Sequence, residues 1–232
     1  MILYTILQVA TESLTQTATS VPASELKFSY FDLFLKGGII MIPIVLLSLL
    51  AVYIYVERIF AIRKAAKQDV NFMHRIKDYI HNDQLDAAIS LCKATDSPSA
   101  RMIEKGLSRI GRPLSDINAA IENVGKSEIA KLEKGFALLA TAAGGAPMLG
   151  FLGTVTGMIT AFYDMSMAGN NIDIQLLSKG IYEALVTTVA GLIVGVMAYF
   201  MYNYIVSRLD HVIDKLENTT TEFMDILNEP AK

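Results

Sequence analysis

The chain has 232 residues, 53% of them hydrophobic, and a formal net charge of −3, with a mean hydropathy of +0.41. That balance is too apolar for a soluble domain of this size, and interspersed charges of both signs leave no basic footprint for nucleic acid. A helix that crosses the ~30 Å hydrocarbon core needs about 20 largely apolar residues, and three stretches supply them, residues 37–56, 135–163 and 180–207. The chain is therefore expected to be an all-α integral membrane protein with the bilayer as its first partner.

Residues 1–27 read as a mobile Thr/Ser-rich lead. Its first ten residues are apolar, but no basic residue precedes them and no clean small-residue site follows, so the flanks argue against a cleaved signal peptide. Residues 28–36 carry Phe28, Phe31, Leu33, Phe34 and Leu35 around Asp32 and Lys36, the pattern of a short interfacial amphipathic helix that Gly37-Gly38 would break. The first span, 37–56, is followed by a polar segment, 57–134. Thirteen of the 20 basic residues lie between Arg63 and Lys134, whereas 165–178 has no Lys or Arg. By the positive-inside rule the 57–134 segment is cytoplasmic. The N-terminus and the 164–179 loop are then outside, and the 208–232 tail is inside.

The cytoplasmic segment reads as helices. Phe72, Ile76, Tyr79 and Ile80 repeat helically until Asn82-Asp83 turns the chain, and Leu85, Ala88, Ile89 and Cys92 make a second short helix. Ser97 is placed as an N-cap with Pro98 in the first turn. Gly111-Arg112-Pro113 is a break, and Ser115 or Asp116 starts a helix expected to run without interruption into the second span. In the tail, Leu209, Ile213, Leu216, Thr220, Phe223 and Leu227 form a seam for another helix, in the chain or on another subunit.

Several motifs carry no chemistry. Gly125-Lys126-Ser127 ends like a phosphate loop, but no strand precedes it and the first glycine is replaced by Ala120. His74, His81 and His211 lack metal-ligand spacing, so no metal is expected. Cys92 reads as a buried structural thiol. No nucleophile stands with a base, so neither a catalytic residue nor an enzyme is expected.

The unusual stretches are APMLGFLGTVTGMITAFY in the second span and KGIYEALVTTVAGLIVG in the third. Small residues let helices approach closely in lipid, and hydroxyls seek partners across an interface or in a wet cavity. Gly150, Thr154, Gly157 and Ala161 form one stripe, with Gly153 four residues before Gly157. Ala184, Thr188, Gly191 and Gly195 form another, with Thr187 and Glu183 beside it. Gly150, Gly153, Gly157, Gly191 and Gly195 are assigned to helix packing. Thr154, Thr187, Thr188 and Glu183 are assigned to a polar lumen. An ionisable group inside a span is a functional candidate by default; the alternative places Glu183 at the headgroups, paired with Lys179. Thr156 is expected to lie off the functional face. Hydroxyls can relay a proton but cannot hold its charge, so a titrating carboxylate would belong to a partner.

LGFLGTVTGM followed by KGIYEALVTTVAGL resembles the ExbB/TolQ/MotA proton-channel family, and most of all its ExbB and TolQ branches, over about residues 31–216. The resemblance implies a homo-oligomeric, pentameric ring of three-span subunits with long helical cytoplasmic extensions, in the inner membrane of a Gram-negative bacterium, with a periplasmic N-terminus and a cytoplasmic C-terminus. It implies an ExbD- or TolR-like single-span partner whose intramembrane carboxylate carries the proton, and a TonB- or TolA-like protein that receives the work. Protons would be the coupling ion, with no other cofactor. By matching motif positions, Thr154, Thr188 and Glu183 would lie on the path between subunits. ExbB-like energising of outer-membrane transport is the first expectation. A TolQ-like role in envelope integrity and division, or a non-conducting scaffold, is the alternative.

Overall fold

A computed structural model describes residues 37–67, 71–167 and 174–228. Among these the chain is all-helical, with seven helices in the order α1 Met41–Ala66, α2 Phe72–His81, α3 Leu85–Ala94, α4 Pro98–Leu107, α5 Leu114–Glu133, α6 Phe136–Met167 and α7 Ile174–Asn228. Three helical stretches are long and apolar enough to cross a membrane: α1, the α5–α6 run and α7. The expected lead at 1–27 and interfacial helix at 28–36 lie outside the described residues.

Local chemistry sets most helix ends. Gly37 to Ile40 form a turn with Gly38 at φ +65°, so α1 begins at Met41. It runs on to Ala66, with Arg63 and Lys64 in a last turn where cations suit the helix dipole. Asp83, at φ 54°, turns the chain between α2 and α3. The Ala100 amide donates to the Ser97 hydroxyl at 3.2 Å, and Pro98 occupies the first turn of α4, as the sequence indicated. No Gly or Pro interrupts 164–167, so α6 continues to Met167, and α7 has already begun at Ile174, within the stretch read as a loop.

The expected uninterrupted helix through the second span is corrected at one point. Lys134 is extended (ψ 124°) and Gly135 has φ +92°, so α5 and α6 are separate helices. The left-handed region is open to glycine at little cost. A side chain here would also stand 3.2 Å from Ile54 Cγ2 of α1.

The polar helices α2–α5 build one apolar core against the second half of α7. Phe72, Ile76, Ile103, Ile121 and Phe223 are fully buried in it. Gly106 lies where Ile121 and Phe223 meet; an added Cβ would fall 2.7 Å from both side chains. The tail seam is thus filled by the chain's own helices. Its phase differs from the sequence reading: Ile205, Leu209, Val212, Leu216, Thr219, Phe223 and Ile226 are buried, whereas Ile213, Thr220 and Leu227 are half-buried. The deeper set follows the neighbours α7 meets on both sides, which periodicity alone does not locate. Cys92 is buried, and burial, with a smaller contribution from Glu104, pushes its thiol up to about 12.

Candidate functional site

The spans α6 and α7 pack antiparallel through their small residues, and each of the five glycines assigned to packing stands opposite a backbone or a small side chain. A Cβ on Gly157 would lie 2.9 Å from Ala184 Cβ, and one on Gly150 would lie 3.0 Å from the Thr187 carbonyl. A Cβ on Gly191 would lie 2.5 Å from the Ala146 carbonyl and 2.9 Å from Gly150 Cα. Gly153 has no room for a side chain because the Thr187 hydroxyl occupies the space. Gly195 rests on the Pro147 ring and the Ala143 carbonyl. Pro147 has no N–H, so it offers no helical donor to that carbonyl, and the neighbouring helix approaches where the ladder is open. Gly180, which the sequence reading passed over, completes the row against Ala161; its step of four to Ala184 was the available signal.

The threonines divide. Thr188 donates to the Gly150 carbonyl across the interface at 2.9 Å, a bond of order 1 kcal/mol between membrane helices. Thr187 is buried between the helices, and its hydroxyl donates to the Ala184 carbonyl of its own helix at 2.8 Å. Thr154 donates to the Phe151 carbonyl at 2.6 Å and stays half-exposed beside the contact with α7. The stripe of α6 that packs on α7 therefore runs Gly150, Gly153, Gly157, Ala161 rather than through Thr154.

Glu183 stands where α1 and α7 begin and α6 ends, in a cleft of about 440 Å³ that also takes in Thr156, Thr160, Asp164, Lys179 and Thr187. Its carboxylate presses on Gly38, where any side chain would collide with it. Among the described residues no ion pair joins Glu183 to Lys179. Thr156, expected off the functional face, lines this cleft, its hydroxyl donating to the Leu152 carbonyl at 2.9 Å. The reason is geometric: the true stripe passes through Gly153, and Thr156 and Thr160 flank it on the side facing α1. Asp164, one turn beyond Thr160, was also missed.

A second polar feature ties the spans to the helical domain. Lys64 of α1 meets Asp96 at 2.7 Å, Asp96 meets Arg101 at 2.8 Å, and Arg101 meets Glu128 at 2.6 Å. Lys131 meets the other Glu128 oxygen at 2.6 Å, and Arg58 of α1 donates to the Lys131 carbonyl at 3.0 Å. Partners separated by 27 and more residues gave the sequence reading no signal.

A sequence model of the MotA/TolQ/ExbB proton channel family matches residues 94–218, more than half of the chain and all of the α6/α7 contact. A biopolymer transport protein, ExbB-like 1, of Synechocystis sp. is 32% identical over 208 residues, which are 85% of this chain and 79% of that one. A biopolymer transport protein ExbB homolog of Methanothermobacter thermautotrophicus is 29% identical over 80% of this chain and 66% of its own. The Tol-Pal system protein TolQ of Haemophilus influenzae is 28% identical over 88% of this chain and 96% of its own. With three membrane-capable helices, the glycine-threonine pairing of the second and third, and a family match that covers both, the chain is a multi-pass membrane protein belonging to the MotA/TolQ/ExbB proton channel family.

Proposed function

We propose that this chain is the ring-forming subunit of an inner-membrane proton-driven motor, with an ExbD-like single-span partner, and that it energises TonB-dependent outer-membrane transport. Five copies would surround the partner, whose carboxylate takes up and releases the proton. The observation that carries the reading is Thr154, a hydroxyl in mid-span beside, not within, the contact with α7 and so free to face a lumen. Thr188 is next to it in this reading, and Glu183 stands at the mouth. Protons are the only coupling ion in this scheme. The near-complete coverage of a TolQ supports a second reading, a TolQ-like role in envelope integrity; impaired siderophore uptake against detergent sensitivity in a deletion strain distinguishes them.

Thr154→Val is the cleanest test, because it keeps the volume and removes only the hydroxyl, which donates to the Phe151 carbonyl in the isolated chain and would turn from it to the partner's carboxylate in the lumen. A lumen-facing carboxylate that loses a hydrogen bond is destabilised by about 1–3 kcal/mol, so proton flux into vesicles holding chain and partner should fall about tenfold or more. Wild-type flux through Thr154→Val at unchanged assembly would overturn the lumen assignment. No partner-dependent flux in the wild type would favour the scaffold.

Orientation has its own expected result. In intact cells, a membrane-impermeant thiol reagent should modify Ser166→Cys, at the exposed end of α6, and not Ser90→Cys, on the exposed face of α3. Native Cys92 is no reporter, since burial silences it on either side. Labelling of Ser90→Cys with protection of Ser166→Cys would reverse the topology.

A further inference from the structure

We infer that the groove between α1 and the middle of α7 binds the headgroup of an anionic phospholipid. It encloses about 550 Å³ at the end of the spans nearest the helical domain. On α1 the apolar run ends at Val56, and Arg63 follows about two turns later, after Glu57 and Arg58; Arg208 is the first charge after the apolar run of α7. Both therefore stand on the water side of the hydrocarbon boundary.

Tyr204 organises the site. Arg208 Nε donates to its phenol oxygen at 3.1 Å, and the guanidinium lies 5.1 Å from the ring centroid. Arg63 lines the same groove beside Tyr204, so two guanidiniums are gathered around one neutral phenol. Neither is in an ion pair among the described residues. Lys215 reaches the Ala66 carbonyl at 3.4 Å, which leaves donors to spare. Asp214 is the single carboxylate on the groove, against three cations. Such an excess of forked donors suits a phosphate diester.

A lipid is favoured over a soluble phosphate by the walls. Ile59, Ile62 and Val212 make the lining largely apolar. Next to it the spans bear a broad apolar surface in which Phe60 and Phe200 are 66% and 69% exposed. Acyl chains of a lipid whose phosphate sits between the arginines can lie along that surface, whereas a free anion would leave it bare. Basic pockets at the ends of membrane helices are well suited to acidic headgroups. The inference does not depend on whether the chain conducts protons.

The test uses the purified, assembled protein and native mass spectrometry after equilibration with equimolar phosphatidylglycerol and phosphatidylcholine. Wild type should retain phosphatidylglycerol, about one per chain, with a preference of about tenfold or more. The pair Arg63→Gln and Arg208→Gln should lose the preference, while Arg112→Gln and Lys126→Gln, the same charge change elsewhere, should keep it. Ala66→Phe, which fills the groove without altering charge, should also lower retention and serves if the arginine pair fails to assemble. Equal retention of the two lipids by wild type, or equal loss in the control pair, overturns the proposal. Full displacement of the lipid by inorganic phosphate overturns it in favour of a soluble anion.

Discussion

Gly191→Ala should be enough to pull α6 and α7 apart. The new methyl would lie 2.5 Å from the Ala146 carbonyl, 2.9 Å from Gly150 Cα and 3.1 Å from Gly150 N. All three are backbone atoms, so no side chain can swing aside and the helices must separate. Overpacking usually costs about 1–3 kcal/mol, and a clash with rigid backbone belongs at or above the top of that range. Separation also stretches the Thr188–Gly150 bond and empties the pocket that Gly153 makes for Thr187. The expected result is loss of most monodisperse complex on size exclusion, with a lowered melting midpoint. Gly144→Ala is the control: nothing lies within 4 Å of its new methyl, and an exposed helix gains about 1 kcal/mol from the exchange. Wild-type behaviour of Gly191→Ala, or equal damage from Gly144→Ala, would show that the contact is not as tight as described.

Glu128→Gln should destabilise the helical domain by about 2 kcal/mol at neutral pH, the scale of hydrogen bonds to charged groups. The side chain of Glu128 is 5% exposed while that of Arg101 is 40% exposed. Water therefore relieves Arg101 in part when the carboxylate is lost, and the larger penalties of fully buried pairs are not expected. Burial pushes the Glu128 carboxyl up, but the hydrogen bonds from Arg101 and Lys131 outweigh it and hold the group below the usual range. A depressed carboxyl stabilises the fold above its unfolded value, about 4.3. That contribution disappears as pH falls through the lower folded value. The gap between wild type and Glu128→Gln in thermal melts should thus be full at pH 7 and shrink in acid below about pH 4. A gap absent at pH 7, or undiminished in acid, would remove the network from the account of stability.

The membrane class, the paired small-residue spans and the Ser97 cap were legible because each is local: apolar run length, spacing of Gly and Thr, and a hydroxyl before Pro98. The family resemblance rested on the same two stretches. What escaped needed three dimensions. Gly135 in an apolar run looks like Gly144 or Gly153, and only its backbone angle tells a break from a packing contact. Thr154 and Thr156 differ by two residues, and which one flanks the cleft depends on where α1 stands. Nothing in the spacing around Glu128 sets it apart from the other charges of a polar helix; its partner Arg101 stands on another helix. The seam of the tail was right in period and shifted in phase, because α7 is packed from more than one direction.

The two neighbouring spans differ mechanically. The helix α7 has 55 residues, about 82 Å at 1.5 Å per residue, and contains no Gly or Pro after Gly195. It is one continuous helix from the contact at Thr188 to Phe223 in the core of the helical domain, and past Gly195 nothing in its sequence favours a bend. The partner span is broken at Gly135, which separates α6 from α5. Under the proposed motor function, torque entering this pair in the bilayer would reach the helical domain through the continuous α7, and not through the interrupted run of α6 and α5.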